Sequence, residues 1–333
     1  MSSENDSLGY KLRAYFGIGY EGEDAIDQRL TDLKRAKTIG RILSLAAAVG
    51  FLYLFSQALG QVGFSIDEIV RYWPAFSEAM GGFFPTTTYL GIPFLDFGAY
   101  WSFISNPPGY DHPLWDYAVT TLAMSFAGTA LGFPLALLFG ILGSERVTPF
   151  PFNFIFRGVM STIRAIPALV WALIFIPLGG LSPFTATLAI GTDTIGNMGR
   201  LFTDELEEIE EGPIEGISST GANRPQTVVF GMLSQVYTSF IAWALYIFEI
   251  NTRVAVTMGL IGGGGLGAVL SAERRFYNPT NIMATILVVL VLVITVEMIS
   301  QRIRAYLRGD WEPMSTAELF LGFPRRMTES LWR

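Results

Sequence analysis

Six long apolar runs divide the chain, and polar segments of very different character separate them. A bilayer core of about 30 Å takes roughly 20 apolar residues as helix. The runs are Ile42–Leu59, Leu122–Leu142, Ile166–Gly180, Leu181–Phe202, Tyr237–Val256 and Asn281–Ile299. The second has no charge; the fourth holds Asp193, and the fifth holds Glu249 and Arg253. The pattern predicts an all-α polytopic membrane protein of about six transmembrane helices. Ahead of the first run, "DAIDQRLTDLKRAKTIGRI" reads as a charged helix leading into the span, and "FSIDEIVRYWPAFSEAMGGFF" reads as an amphipathic helix at the outer interface. Pro134 and Pro167 are expected to kink their helices. "GTALG", Gly128 to Gly132, has the small-residue spacing that lets two helices approach closely.

Composition supports the membrane class. Of 333 residues, 51% are hydrophobic and only 15% charged, against roughly a quarter charged in soluble chains. There is no cysteine and one histidine, His112, so disulfides, thiolate chemistry and multi-histidine metal clusters are excluded. The net charge of −7 says little, because charge is confined to a few segments. No basic patch with interleaved aromatics points to nucleic acid. The first apolar run begins some forty residues in, which predicts no cleaved leader.

Lysine and arginine set the expected orientation. Lys11, Arg13, Arg29, Lys34, Arg35, Lys37 and Arg41 precede the first run; Arg302, Arg304, Arg308, Arg325, Arg326 and Arg333 follow the last. Both termini read as cytoplasmic. Gly60 to Pro113 holds only Arg71 and reads as exterior. The expected segments are a cytoplasmic N-terminal stretch 1–41, a first span with its exterior segment 42–115, a core 116–308 with a cytoplasmic loop 203–236, and a cytoplasmic tail 309–333.

That loop carries the most informative polar sequence. The acidic run "TDELEEIEEGP" leads into "EGISSTGANRPQTVVFGMLSQV", Glu215 to Val236. Pro213 suits a first helical turn. Glu215, Ser218, Ser219 and Ala222 are compatible with a short helix, and Gly221 can close it or admit a close neighbour. "NRPQ" signals a turn, Pro225 biases Arg224 away from helix, and a second helix is expected from Thr227. The alternative is an ordinary connector.

This segment resembles the "EAA" loop of binding-protein-dependent ABC importer permeases, in which a glutamate is followed six residues later by a glycine. Glu215 and Gly221 keep that spacing, and Leu233 stands where a leucine is expected. Gly216 and Ile217 replace two alanines, Gly231 occupies the place of an apolar residue, and Ser234 replaces a proline. "FEINTRVAVTMGLIGGGGLG" and "STIRAIPALVWALIF" are similar to the phosphonate branch of that family, where a Glu-x-Asn-x-Arg cluster precedes a glycine-rich stretch. The resemblance covers roughly residues 116–307. It implies a type I ABC importer permease with a coupling helix between helices four and five, in the bacterial inner membrane. The implied partners are a dimer of ABC ATPase subunits, an exported substrate-binding protein, a second permease subunit (a copy or a paralogue) and membrane lipid. It implies no cofactor of its own, since ATP and Mg belong to the partner ATPase, and a cargo of phosphonate, phosphite or phosphate. Glu215, Gly216, Ser219, Gly221, Ala222 and Leu233 are the expected coupling residues.

Ionisable residues inside spans often mark pathways. Glu249 and Arg253 are spaced to pair on one helix face. Either Arg253 reaches the outer interface with Glu249 neutralising it, or Asn251 and Arg253 face a central cavity and touch an oxyanion, for which arginine's forked donors are suited. Arg253 lies sixteen positions after Tyr237, about 24 Å at about 1.5 Å per residue, which sets it in the outer part of the bilayer. Arg164 either snorkels or joins the pathway. Asp193 repels an anion and is expected to bond a neighbouring helix, and Glu297 reads as structural. "GLIGGGGLG" lacks a Lys-Ser/Thr pair after it and is not a nucleotide loop; Gly262, Gly263, Gly264 and Gly265 read instead as a tight periplasmic turn that touches the delivering protein. The acidic run reads as a solvated face or as a lure for basic residues on the ATPase. The rivals are a permease for another small solute, a stand-alone secondary transporter, for which inverted repeats are wanting, and an intramembrane enzyme, for which no catalytic constellation is present.

Overall fold

The computed structural model describes residues 21–89 and 91–308; the basic residues expected at the extreme N-terminus and the tail 309–333 lie outside them. The chain divides into two compact units, residues 1–77 and 78–333.

In the first unit, α1 (Glu21–Gln61) is a single 41-residue helix. The charged stretch and the first apolar run are therefore one continuous element, and Leu33–Gln61 is long and apolar enough to cross a membrane. The next helix, α2 (Ile66–Phe83), carries the chain from the first unit into the second; it has Asp67 and Glu68 in its first turn and buries none of its residues. It is the helix expected from the amphipathic pattern.

The second unit opens with a feature the all-α expectation lacks. Strands β1 (Thr86–Tyr89) and β2 (Ile92–Leu95) pair antiparallel, Thr86 opposite Leu95. Gly91 in the tight turn has φ 81°, a conformation that costs glycine little. Asp96 then caps α3 (Phe97–Ser105) by accepting from the Ala99 amide at 3.1 Å.

The centre of the unit is α4 (Leu114–Gly143) beside α7 (Pro183–Glu208). The two run in the same direction, because Gly128 of α4 meets Ile190, Gly132 meets Gly191 and Gly140 meets Phe202. A Cβ added at Gly132 would lie 2.5 Å from the Gly191 carbonyl oxygen, so only hydrogen fits. The small-residue spacing does here what the sequence predicts.

The third apolar run begins at a sharp bend. Helices α5 (Phe152–Ala165) and α6 (Ala168–Gly179) meet at a 90° bend across Ile166–Pro167. Twelve residues reach about 18 Å, so α6 alone is too short for a span of about 30 Å. Arg164 thus sits in the last turn of α5. By length and composition four described helices can cross a membrane, or five if the bent pair counts as one. α7 is not among them: Asp193, Asn197 and Arg200 dilute its apolar character, and its neighbours enclose it instead.

After α7 come α8 (Glu211–Ser219), a short turn at Arg224–Gln226, a π-helical turn at Thr227–Leu233 and α9 (Ser234–Met258). A second π-turn, Gly259–Gly263, leads to α10 (Gly265–Phe276) and α11 (Pro279–Arg308). One buried cluster joins α4, α7 and α9 through Ala136, Met198, Phe202, Phe240 and Ile247. Another joins α3, α4, α10 and α11 through Phe103, Leu114, Leu266 and Val288.

Candidate functional site

The hairpin after α7 is built from local sequence signals. Ile209 is buried and pins the chain where α7 ends. α8 turns Ile214 and Ile217 inward, where they lie 3.5–3.6 Å from the position a Gly231 Cβ would take. Ile214, Val228 and Leu233 pack on the same core cluster. Glu215, Gly216, Ser219 and Gly221 are exposed, while Ala222 and Leu233 are half-buried. The Gly221 backbone has φ 85°, with open space where a Cβ would stand. Backbone conformation, then, rather than close packing within the chain, demands glycine there.

One detail differs from expectation. Arg224 is helical, because Asn223 caps the turn: its side chain accepts from the Gln226 amide at 3.0 Å, and Gln226 accepts from the Asn223 amide at 2.9 Å. This reciprocal box satisfies two orphan donors, and Pro225 in a first turn sacrifices no helical hydrogen bond.

The acidic run is divided between internal partners and free surface. Asp204 pairs with Arg200 at 3.0 Å, Glu205 accepts from the Trp243 indole at 2.7 Å, and Glu207 pairs with Arg157. Glu211 stands 4.0 Å from Arg146. Glu208 and Glu210 are exposed and make no ion pair among the described residues.

Deeper in the bundle, Asn251 holds three helices together. Its amide donates to the hydroxyls of Thr129 on α4 and Thr194 on α7, each at 2.8 Å. Asn251 is 1% exposed, so it is a staple and does not face a cavity. Thr129 is the sixteenth of thirty residues in α4, and Thr194 the twelfth of twenty-six in α7, so this level is the middle of the bundle. Arg253 lies two residues further along α9, about 3 Å. The register places it near the middle of the helix bundle, because α9 reaches the level of Gly140 and Phe202 only at Phe240, whose ring sits 4.2 Å from that of Phe202.

Glu249 and Arg253 share a face but do not pair with each other. Glu249 bonds Arg304 of α11 at 2.6 Å, and Arg253 stands 3.8 Å from Glu297 of α11. The two side chains of the first pair are 9% and 14% exposed; Arg253 is 57% exposed. Glu249, Glu297 and Arg304 border a cavity of about 740 Å³ between α9 and α11, with Trp243 and Tyr246 in its wall, and Arg253 lies outside that lining. Asp193 bonds Asn197 of its own helix at 2.9 Å, not a neighbouring one. Arg164 is exposed, and its backbone packs on Gly196 of α7.

The glycine stretch is a bend set into the packing. Gly262, Gly264 and Gly265 have φ of 105°, 89° and 64°. Gly263 and Gly265 are buried, Gly264 lies against Pro183, and Gly265 against Thr121 and Met124. Nearby, Glu273 accepts from Tyr110, Asn278 and Asn281 at 2.8–3.0 Å, tying the 106–113 loop to the α10–α11 turn. Burial first, and the bond to Glu273 second, push the Tyr110 hydroxyl above the usual tyrosine pKa. Sequence patterns missed this cluster, since Tyr110 and Glu273 stand 163 positions apart.

A multi-pass helical bundle, braced by polar staples and carrying a compact surface hairpin, defines a membrane-embedded protein of the transporter class. The chain matches the family described as binding-protein-dependent transport system inner membrane component over residues 132–310, 179 of its 333 residues, and it belongs to that family. It is similar to the phosphate-import permease protein PhnE of Mycolicibacterium smegmatis, with 32% identity over 60% of this chain and 38% of that protein. It is similar to the phosphite transport system permease protein PtxC of Stutzerimonas stutzeri, with 31% identity over 57% of this chain and 70% of that one. Its fold is that of a chain in inward-facing MetNI methionine ABC transporter structures, at TM-score 0.54, 21% identity, and coverage of 58% of this chain and 95% of that one.

Proposed function

We propose that this chain is the permease subunit of an ABC importer that passes a phosphorus oxyanion (phosphonate, phosphite or phosphate) across the cytoplasmic membrane. A separate ATPase dimer drives it, an exported binding protein supplies it, and both its termini are cytoplasmic. The cargo class rests on the relatives named for phosphate and phosphite import. The mechanism rests above all on the hairpin. Its inner face, Ile214 and Ile217, is seated on Gly231 in the turn that leads into α9, while its outer face, Glu215, Gly216 and Ser219, is exposed. A push on α8 is therefore delivered to the helix that carries Glu249 and Arg253.

Arg253 supports both a pathway and a second permease subunit. A guanidinium half-exposed near mid-bilayer is expensive against lipid, so that face is best covered by water or by another subunit. The test is reconstitution of permease, ATPase and binding protein in proteoliposomes. ATP-dependent phosphonate or phosphite uptake that stops with Glu215→Arg, while the complex still inserts, is the expected result. Uptake without any ATPase would instead establish a stand-alone transporter.

A further inference from the structure

At the opposite end of α9 from the hairpin, a cavity of about 360 Å³ lies between the second π-turn and one face of α10. That is room for about a dozen waters at about 30 Å³ each. Leu181, Leu260 and Phe276 give it apolar walls. Its polar side chains come from α10 alone: Ser271 and Arg275, one turn apart on the same face, with Ala272 between them leaving space. Ser271 is 6% exposed, and its hydroxyl makes no hydrogen bond among the described residues. A buried helical serine ordinarily satisfies itself on the preceding turn. Arg275 is exposed and has no ion pair among the described residues. Glu273, the only carboxylate of α10, stands on the other face, bound to Tyr110, Asn278 and Asn281. A forked cation and a free, accessible hydroxyl, opposed by apolar walls, fit an oxyanion that carries an apolar substituent.

We propose that this cavity binds a phosphorus oxyanion with an apolar substituent, its oxygens on Arg275 and Ser271 and its substituent against Leu181, Leu260 and Phe276. The site deepens the importer reading and rests on it for its role, as the place where cargo waits before reaching Arg253. It favours an alkylphosphonate over bare phosphate, because phosphate leaves the apolar walls unfilled. The same chemistry is offered by a phospholipid headgroup.

The test is phosphorus-31 NMR line broadening of ethylphosphonate by the purified permease in a phosphorus-free detergent. Arg275→Ala is expected to weaken binding about tenfold, the scale of one charge-assisted contact. Ala272→Trp fills the cavity and gives the same loss, and Arg274→Ala next door leaves binding intact. Inorganic phosphate broadens less than ethylphosphonate. Equal broadening by wild type and Arg275→Ala, or none by wild type at millimolar concentration, overturns the site. Displacement by dihexanoylphosphatidylglycerol at lower concentration than ethylphosphonate needs assigns the cavity to lipid and overturns its role for cargo. Phosphonate uptake by the full complex separates the two ideas. Uptake with binding indifferent to Arg275 sinks only this site, whereas Arg275-dependent binding without uptake sinks only the importer reading.

Discussion

Glu249 and Arg304 allow a sharp test of what holds α9 to α11. The perturbation is Arg304→Met, which keeps the bulk of the stem and removes the guanidinium. It strands a carboxylate whose side chain is only 9% exposed. Removing one partner of a buried pair costs about 3–5 kcal/mol, far more than the pair contributes over an apolar replacement. At about 1.4 kcal/mol per factor of ten, the folding equilibrium drops by roughly two to nearly four powers of ten. At about 2–4 °C per kcal/mol for large domains, Tm falls by about 10 °C. The double variant Glu249→Met with Arg304→Met removes both charges and recovers most of that loss. Arg253→Met is the internal control: its pair is 3.8 Å apart with side chains 57% and 41% exposed, so the shift is smaller than that of Arg304→Met. Thermal unfolding of the purified permease in detergent measures all of these. If Arg304→Met melts with wild type, or the double variant is no better than the single, the pair does not hold the two helices and the reasoning fails.

Gly221→Val forces a branched side chain onto φ 85°, costing about 1–2 kcal/mol or more locally, and is expected to stop ATPase-driven uptake while insertion persists; Gly216→Ala, in open space, isolates the strain as the cause. Arg253→Ala is expected to slow phosphonate uptake without loss of assembly, with Arg253→Lys recovering only part, since lysine lacks the planar fork; uptake at the wild-type rate would make Arg253 a mere anchor. Gly132→Leu drives a side chain into the Gly191 carbonyl of α7 and is expected to abolish the folded peak in size-exclusion chromatography, whereas Gly158→Leu, with nothing within 4 Å, elutes normally.

The helices were legible because long apolar runs with few charges admit little else in a chain so poor in charge. The hairpin was legible from Pro213, Gly221 and Asn223, whose preferences act over three or four residues. Partners across helices were not. The spacing of Glu249 and Arg253 satisfies the rule for a pair on one helix, yet Arg304, 55 positions away, wins the carboxylate through antiparallel packing. The same holds for Asn251 with Thr129 and Thr194. The bend at Ile166–Pro167 was legible from its proline, since a residue before proline avoids helix, though its 90° size was not. The strands at Thr86–Tyr89 and Ile92–Leu95 had one too, in threonines flanking a glycine turn.

The two π-turns that bracket α9 have a consequence for insertions and deletions. A π-turn holds one residue beyond the α-helical count, and helices tolerate it as a single-turn bulge. Deleting one residue within Thr227–Leu233 would leave an unbroken helix but rotate everything before it by about 100° relative to α9. Ile214 and Ile217 would swing off Gly231, and Glu215 would aim elsewhere. One residue lost within Gly259–Gly263, where Gly262 already breaks the helix at φ 105°, would displace α10 and carry Ser271 and Arg275 out of their cavity. Length in these two short stretches is thus held as firmly as the glycines of the second, and natural variants of this chain should keep the number of residues there.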